Sequence, residues 1–325
     1  MKKKIRIDFV DFQRKFDKED NDFTNILRER FDVEISDKPD YVFCSSFGRH
    51  YLDYACIRIF YTGECITPDF NHFDYAIAFD RIDFGDRYLR LPLYRVFQYR
   101  KFYEQMFQPL GSLVDKTEKT DFCSFVYSNC FANDIRTKFY HLLSAYKHVN
   151  SGGRYLNNVG GPVEDKFEFQ KRHKFSVAIE NGSYPGYSTE KIVEAFAAGT
   201  IPIYIGDKNI ANDFNEKCFI NGHNYDSLQA IVDKVIEIDS DDELYHQMLK
   251  ETPARVDHRN NEDLRQFLFT IFDQGVKSAR RRPDTRFSRE EENHYKRYSL
   301  IDKFVFNKIA RFKRMIYKIR KGVKL

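Results

Sequence analysis

The chain has 325 residues, 42% of them hydrophobic and 31% charged, enough apolar material for the cores of two ordinary domains. No apolar run is long enough to cross a bilayer, and six scattered cysteines without a C-x-x-C pair argue against a zinc site. The net charge is +4, yet residues 303–325 hold nine Lys or Arg and no Asp or Glu, so the remainder carries −5, which speaks against a nucleic-acid-binding surface.

The start, "MKKKIRIDFVDF", is basic and then apolar, but it alternates and carries Asp8 and Asp11, so it reads as a first strand rather than a secretory signal. The expectation is a protein made and kept in the cytoplasm. Strand-like runs follow at 41–46, 56–64, 75–79 and 88–94, with a helical stretch at 22–31. The polar residues 112–121 read as a linker. A second alternation begins with "FCSFVYSN" (122–129) and a helix over 134–146, whose apolar face is Ile135, Phe139, Leu142, Leu143 and Tyr146. "SVAIEN" (176–181) and "TIPIYIG" (200–206) read as strands, and 225–238 as a helix capped by Asp226 or Ser227. The cysteines read as free thiols used in packing. Gly152-Gly153 and Gly160-Gly161 read as turn glycines. Two β/α halves joined by a linker predict two facing Rossmann-like domains with a cleft between them, where ligands sit beyond the carboxyl ends of the strands.

Between the last two strands lies "ENGSYPGYSTEKIVEAFAAG". Pro185 and Gly186 punctuate a loop, and Ser188 or Thr189 caps the helix that starts there. Unpaired N–H groups and the helix dipole favour an anion at such a start, and Lys191 adds a full charge. Glu190 suits the hydroxyls of a sugar instead. On spacing alone, a capped surface helix with an ordinary Glu–Lys pair explains the same residues. The G-x-G-x-x-G and Walker patterns are absent, which argues against a nicotinamide enzyme or a P-loop NTPase.

"FSVAIENGSYPGYSTEKIVEAFAAGTIPIYIGD" resembles the donor-binding signature of the α1,3/4-fucosyltransferases, glycosyltransferase family 10: a strand ending in F-E-N, a short loop, Y-x-T-E-K, a helix and a V/I-P-V/I strand. Ile179 stands where the family usually has Phe. Residues 58–94 are similar to the acceptor-side segment of the bacterial, Helicobacter-type members, and 122–146 to the segment with the phosphate-binding arginine. The resemblance spans roughly residues 40–250. The heptad repeats often found near the carboxyl end of those proteins are absent.

The resemblance implies an α/β fold of the GT-B type and inverting transfer of L-fucose from GDP-fucose. Glu64, in "YTGE", matches the general base. Arg136 matches the pyrophosphate-binding arginine, and Lys191 the second cation there. Glu190 matches the acidic residue that contacts the sugar hydroxyls, and Tyr187 the aromatic donor-site residue. Glu180, Asn181 and Thr189 support the donor loop. The acceptor it implies is the N-acetylglucosamine of a β-galactosyl-N-acetylglucosamine unit, in lipopolysaccharide or capsule glycan synthesis, with the linkage, α1,3 or α1,4, left open. No obligatory metal is expected. The D-x-D pattern in "DSDDE" (239–243) reads as helix-capping acids.

Val305, Ile309, Phe312, Ile316 and Ile319 fall on one face of a helix, with Lys308, Arg311, Lys313, Arg314, Lys318 and Lys321 around the other side. Such a helix predicts contact of residues 303–325 with an anionic membrane, peripheral at the inner face of the bacterial cytoplasmic membrane. The expected domains are 1–118 for the acceptor, 119–275 for GDP-fucose and 276–325 for carboxyl-terminal helices and tail. Two rivals stand beside this reading: a GT-B transferase using another sugar nucleotide, and a non-catalytic sugar-nucleotide-binding scaffold.

Overall fold

The alternating segment KIRIDFV forms β1 (Lys4–Val10), which buries Ile5, Ile7 and Phe9 on one side. The computed structural model describes residues 2–113, 119–129, 134–301 and 307–320. Its contacts divide the chain into two compact units, Met1–Phe97 with Asn260–Phe312, and Gln98–Arg259 with Lys313–Leu325.

In the first unit β1 is followed by α1 (Asp22–Arg30), β2 (Asp32–Ile35), β3 (Tyr41–Cys44), β4 (Ile57–Tyr61), β5 (Tyr75–Ala78) and β6 (Tyr88–Arg90). All pairs are parallel, in the order β2-β1-β3-β4-β5-β6. The central strands YVFC, IRIFY and YAIA are buried throughout, as both faces of a parallel sheet require. Asn21 caps α1 by accepting from the amides of Phe23 and Thr24, both at 3.0 Å. The strand expected to reach residue 94 stops at Arg90. Pro92 has no amide to give a ladder, and Leu93–Arg95 tightens into a 3-10 turn.

The second unit carries α2 (Arg100–Tyr103), β7 (Asp121–Phe125), α3 (Ile135–Tyr146), β8 (Val149–Ser151), α4 (Lys166–Lys171), β9 (His173–Ile179), α5 (Glu190–Ala197), β10 (Ile201–Ile205), β11 (Ile220–Asn221), α6 (Leu228–Ser240) and α7 (Asp242–Lys250). Its five strands are also parallel, in the order β11-β10-β9-β7-β8. Ser227 is the cap of α6, accepting from the Ala230 amide at 3.1 Å. The predicted α/β architecture of two parallel sheets is therefore present.

The residues after 260 form α8 (Glu262–Asp273), α9 (Gly275–Ala279), α10 (Arg286–Ile301) and α11 (Asn307–Arg320). The second domain was expected to run to 275, but α8 packs with the first unit. Its Leu264, Leu268, Ile271 and Phe272 share a core with Ile7, Phe23, Phe43 and Ile77. Arg95 forks onto Asp263 at 2.9 and 2.6 Å. Arg58, 1% exposed inside β4, forks onto Glu292 of α10 at 2.9 and 3.3 Å. Asp74 is wholly buried, accepts the amides of Arg281 and Arg282 at 2.9 and 2.8 Å, and pairs with Arg282 Nε at 2.9 Å. A buried charge without such partners would cost several kcal/mol, so these pairs fix where the returning chain lies.

Cys44, Cys123 and Cys218 are buried free thiols, Cys56 is half-buried and Cys65 exposed; Cys130 lies outside the described residues, as do residues 114–118 of the expected linker. The predicted tail helix is α11 within the described residues, with Ile309, Phe312 and Met315 exposed; Val305 and Lys321 lie outside them.

His173, wholly buried at the start of β9, donates from Nδ1 to Phe169 O (2.8 Å) and accepts from Asn150 Nδ2 (3.0 Å) in the tautomer that satisfies both. Burial pushes the imidazole down to about 4, against an ordinary 6.5. The folded value lies below the unfolded one, so the contribution is complete above pH 6.5 and is lost as pH falls toward 4, amounting to about 3 kcal/mol. His173→Gln removes this dependence. In urea unfolding the stability gap between wild type and variant should close between pH 7 and pH 4, and a constant gap refutes the assignment.

Candidate functional site

In the second unit the site grows from the carboxyl end of β9. Glu180 follows its last residue and is 3% exposed. The loop then turns at Gly186, whose φ of +86° suits glycine, and enters α5 through Thr189. Thr189 holds the cap position, yet its side chain makes no capping bond. Its hydroxyl reaches back to Glu180 Oε1 and Oε2, both at 2.8 Å, and its amide donates to Oε1 at 2.7 Å. Glu180 thus clamps the start of α5 to the end of β9, and Thr189 gives the first amides of the helix no side-chain cap.

Lys191 completes this cluster. Its Nζ lies 2.9 Å from Glu180, 3.2 Å from Glu190 and 2.7 Å from the Thr189 hydroxyl. Burial disfavours its charge, but the two carboxylates outweigh burial and raise its pKa. Burial likewise pushes Glu190 up, while Lys191, Lys166 and its own amide hold it down at about 2. Both groups stay ionised at any working pH. The Glu190–Lys191 pair that spacing alone suggests does exist, but part-buried, where the Coulomb energy is larger than at a solvated helix surface. Lys166 pairs with Glu194 alongside.

Arg136 stands in the first turn of α3 and is 1% exposed. Its guanidinium donates to Ile179 O from Nε at 3.1 Å and from Nη2 at 2.6 Å, and Nη1 has no hydrogen-bond partner among the described residues. The ring of Tyr127 lies under it, 4.2 Å from the ring centroid to Cζ. Arg136 grips Ile179, and the next residue, Glu180, holds Lys191, so one strand end carries both predicted cations. Asn181 accepts from Asn129 Nδ2 at 3.4 Å. Tyr187 is 1% exposed, one residue before the Ser188–Thr189 entry to α5. Arg136, Glu180, Thr189, Glu190 and Lys191 therefore form one continuous set.

Tyr127 and the clamping role of Glu180 are the parts that sequence reading missed. The signal for Tyr127 was an aromatic at the end of a strand, ahead of the helix bearing Arg136. The glycines also need correcting in part. Gly160 and Gly161 have φ of +88° and +147° and do serve a turn. Gly153 instead lies against Tyr127, where an added Cβ would come 2.0 Å from the carbonyl oxygen.

Glu64 belongs to the first unit, three residues past β4 and half-buried. The Thr62 hydroxyl accepts the Glu64 amide at 3.0 Å, and Glu64 O accepts the Ile66 amide at 2.7 Å. Gly63 lets this turn pass Leu93, where an added Cβ would meet Cδ1 at 2.9 Å. Thr67 donates to Asp80 Oδ1 at 3.0 Å and ties the far side of the loop to the end of β5. A carboxylate held just beyond a strand end is suited to accept a proton from a hydroxyl.

The D-x-D acids are spent on structure. Asp239 takes Lys147 at 3.0 Å and Lys174 at 2.9 Å, and Asp241 caps α7 through the amides of Glu243 and Leu244. Among the described residues no group of His, Cys, Asp or Glu is arranged to hold a metal ion.

Comparison with known proteins covers both units. The model of the alpha-(1,3)-fucosyltransferase FucT N-terminal domain matches residues 7–97, and that of glycosyltransferase family 10 (fucosyltransferase), C-terminal, matches 116–265. An alpha-(1,3)-fucosyltransferase of Helicobacter pylori is 35% identical over 73% of this chain, and the chain spans 58% of that protein's length. A 3-galactosyl-N-acetylglucosaminide 4-alpha-L-fucosyltransferase of Bos taurus is 28% identical over 41% of this chain and 37% of its own. A crystal structure of an alpha1,3-fucosyltransferase superposes with a TM-score of 0.75 at 28% identity, covering 87% of this chain and 94% of that one. Another, solved with GDP-fucose, gives 0.68 at 30% identity, covering 79% and 84%.

Proposed function

Since the chain belongs to glycosyltransferase family 10, the fucosyltransferases, we propose that it transfers L-fucose from GDP-fucose to a hydroxyl of an N-acetylglucosamine-containing acceptor. The observation that carries this reading is the buried set at the end of β9. It presents a guanidinium Nη1 that has no partner among the described residues, a second cation and a carboxylate. A 30%-identical relative that covers 79% of this chain was crystallised with GDP-fucose.

In this reading the acceptor oxygen attacks the anomeric carbon while Glu64 takes its proton. The bond from that carbon to the β-phosphate oxygen breaks, and GDP leaves with the electron pair. Arg136, Lys191 and the positive end of the α5 dipole stabilise the charge that gathers on the diphosphate. Glu190 accepts from a fucose hydroxyl, and its negative charge favours the oxocarbenium character of the transition state. Attack from the face opposite the leaving group inverts the configuration. Lys191 is neutralised by two carboxylates before the donor arrives, so donor binding exchanges one carboxylate contact for phosphate. A divalent cation is not part of this scheme. Tyr187 walls the donor side, and the Galβ-GlcNAc unit of a bacterial surface glycan is the acceptor class.

Incubation with GDP-fucose and N-acetyllactosamine, followed by linkage analysis, tests the whole proposal. Calorimetry with GDP-fucose, GDP-mannose and UDP-sugars tests the donor. Preference for another sugar nucleotide defeats the fucose assignment.

Residues 303–325 are proposed to hold the protein on an anionic membrane surface. The exposed Ile309, Phe312 and Met315 of α11 supply apolar area, and the surrounding cations contribute on the order of 1 kcal/mol each near anionic lipid. Deleting 303–325 should leave transferase activity intact and abolish sedimentation with phosphatidylserine vesicles. Continued sedimentation of the truncated protein removes the tail from this role.

A further inference from the structure

A buried guanidinium needs a reason to stay where it is. Arg136 uses Nε and Nη2 on a single carbonyl, Ile179 O, and leaves Nη1 without a partner among the described residues. No carboxylate among those residues pairs with it. What faces the guanidinium is the ring of Tyr127, at 4.2 Å. The negative face of an aromatic ring attracts such a cation, and the attraction grows when water is excluded.

Tyr127 is itself held on all sides. Its hydroxyl donates to Val177 O at 3.0 Å and accepts the Ile179 amide at 2.7 Å. Burial pushes the phenol upward, which keeps that proton in place. Its carbonyl accepts the Tyr155 amide at 2.9 Å, and its backbone leaves no room for a side chain at Gly153. Ile179 is thus gripped at both ends of the residue, its amide by the Tyr127 hydroxyl and its carbonyl by Arg136. Ring, strand end and guanidinium form a closed loop of contacts that leaves the Nη1 amino group over, without a partner among the described residues.

We propose that Tyr127 is a positioning residue for the donor diphosphate, acting through Arg136: its ring carries the guanidinium and its hydroxyl sets the strand end that the guanidinium grips, so that Nη1 is presented to a phosphate oxygen. The inference rests on the reading that Arg136 binds the diphosphate. It predicts a graded response. Tyr127→Phe keeps the ring but loses the hydroxyl's hold on the strand end, and should weaken GDP by about threefold, less than loss of the ring. Tyr127→Leu removes the ring face and should weaken GDP by about tenfold, in line with a desolvated cation–π contact.

The test is calorimetric titration of the full-length protein with GDP, with guanosine binding followed by ligand-observed NMR. Expected is a loss of GDP affinity in Tyr127→Leu with guanosine unchanged, and a KM for GDP-fucose that rises more than kcat falls. Equal weakening of GDP and guanosine marks Tyr127 as a general packing residue and overturns the proposal, as does unchanged GDP affinity. Should Tyr127→Leu fail to fold, fluorinated phenylalanines at 127 keep the shape and drain charge from the ring face. GDP affinity should fall stepwise with fluorine number, and a flat series overturns the proposal. Arg136→Met separates the two levels. If it binds GDP as tightly as wild type, the diphosphate reading itself fails. If it loses GDP while the ring variants do not, only the role of Tyr127 fails.

Discussion

Glu64→Gln should lower the transfer rate by about 10²–10⁴-fold while leaving GDP affinity unchanged, the range expected when a positioned general base is lost. The amide is nearly isosteric, and the turn that holds residue 64 is made by backbone atoms and the Thr62 hydroxyl, none of which the substitution touches. Binding and chemistry should therefore separate cleanly. The donor set lies in the other unit, and Glu64 contributes no charge to it in the proposed scheme. Equal transfer rates for Glu64→Gln and wild type would remove the base from Glu64 and leave the non-catalytic scaffold as the better reading.

Lys191→Met should have two effects of different origin. Loss of a cation from the diphosphate site should cost about 10²–10³-fold in transfer, as for other groups that stabilise developing charge. The fold should also suffer, because the buried Glu180 and the part-buried Glu190 are left without their shared cation, at about 3–5 kcal/mol. Those carboxylates would then titrate upward, so the stability deficit should shrink as pH falls. Adding Glu180→Gln removes one uncompensated charge but keeps an acceptor for Thr189. The double variant should recover much of the stability in urea unfolding and none of the GDP affinity. If stability and GDP affinity recover together, Lys191 is a structural counter-ion rather than a ligand for phosphate.

Much of the architecture was legible because parallel sheets impose a strong local pattern. Buried runs such as IPIYI and YAIA can be little else, and α5 announces itself by Pro185-Gly186 before it and a dense apolar face within it. The edge strands β2 and β8 were missed, since four and three residues with partial burial leave no readable alternation. The donor set was readable as a list of residues but not as a network. Nothing local says that the Thr189 hydroxyl turns away from its own helix to Glu180, or that Lys191 arrives already paired. Arg58 shows the same limit more sharply. An arginine inside IRIFY contradicts a buried strand until Glu292, 234 positions later, supplies its partner.

That long-range partnership bears on how the protein is made. The first unit emerges from the ribosome first, but it draws α8 and α10 from the far end of the chain. Domains generally fold as units during synthesis, amino-terminal ones first. Here the earlier unit stays unfinished until Glu292 has been translated, whereas the body of the later one, Gln98–Arg259, has by then been made. An apolar sheet face waits uncovered for most of translation, so chaperone dependence and loss to aggregation should concentrate in the amino-terminal half.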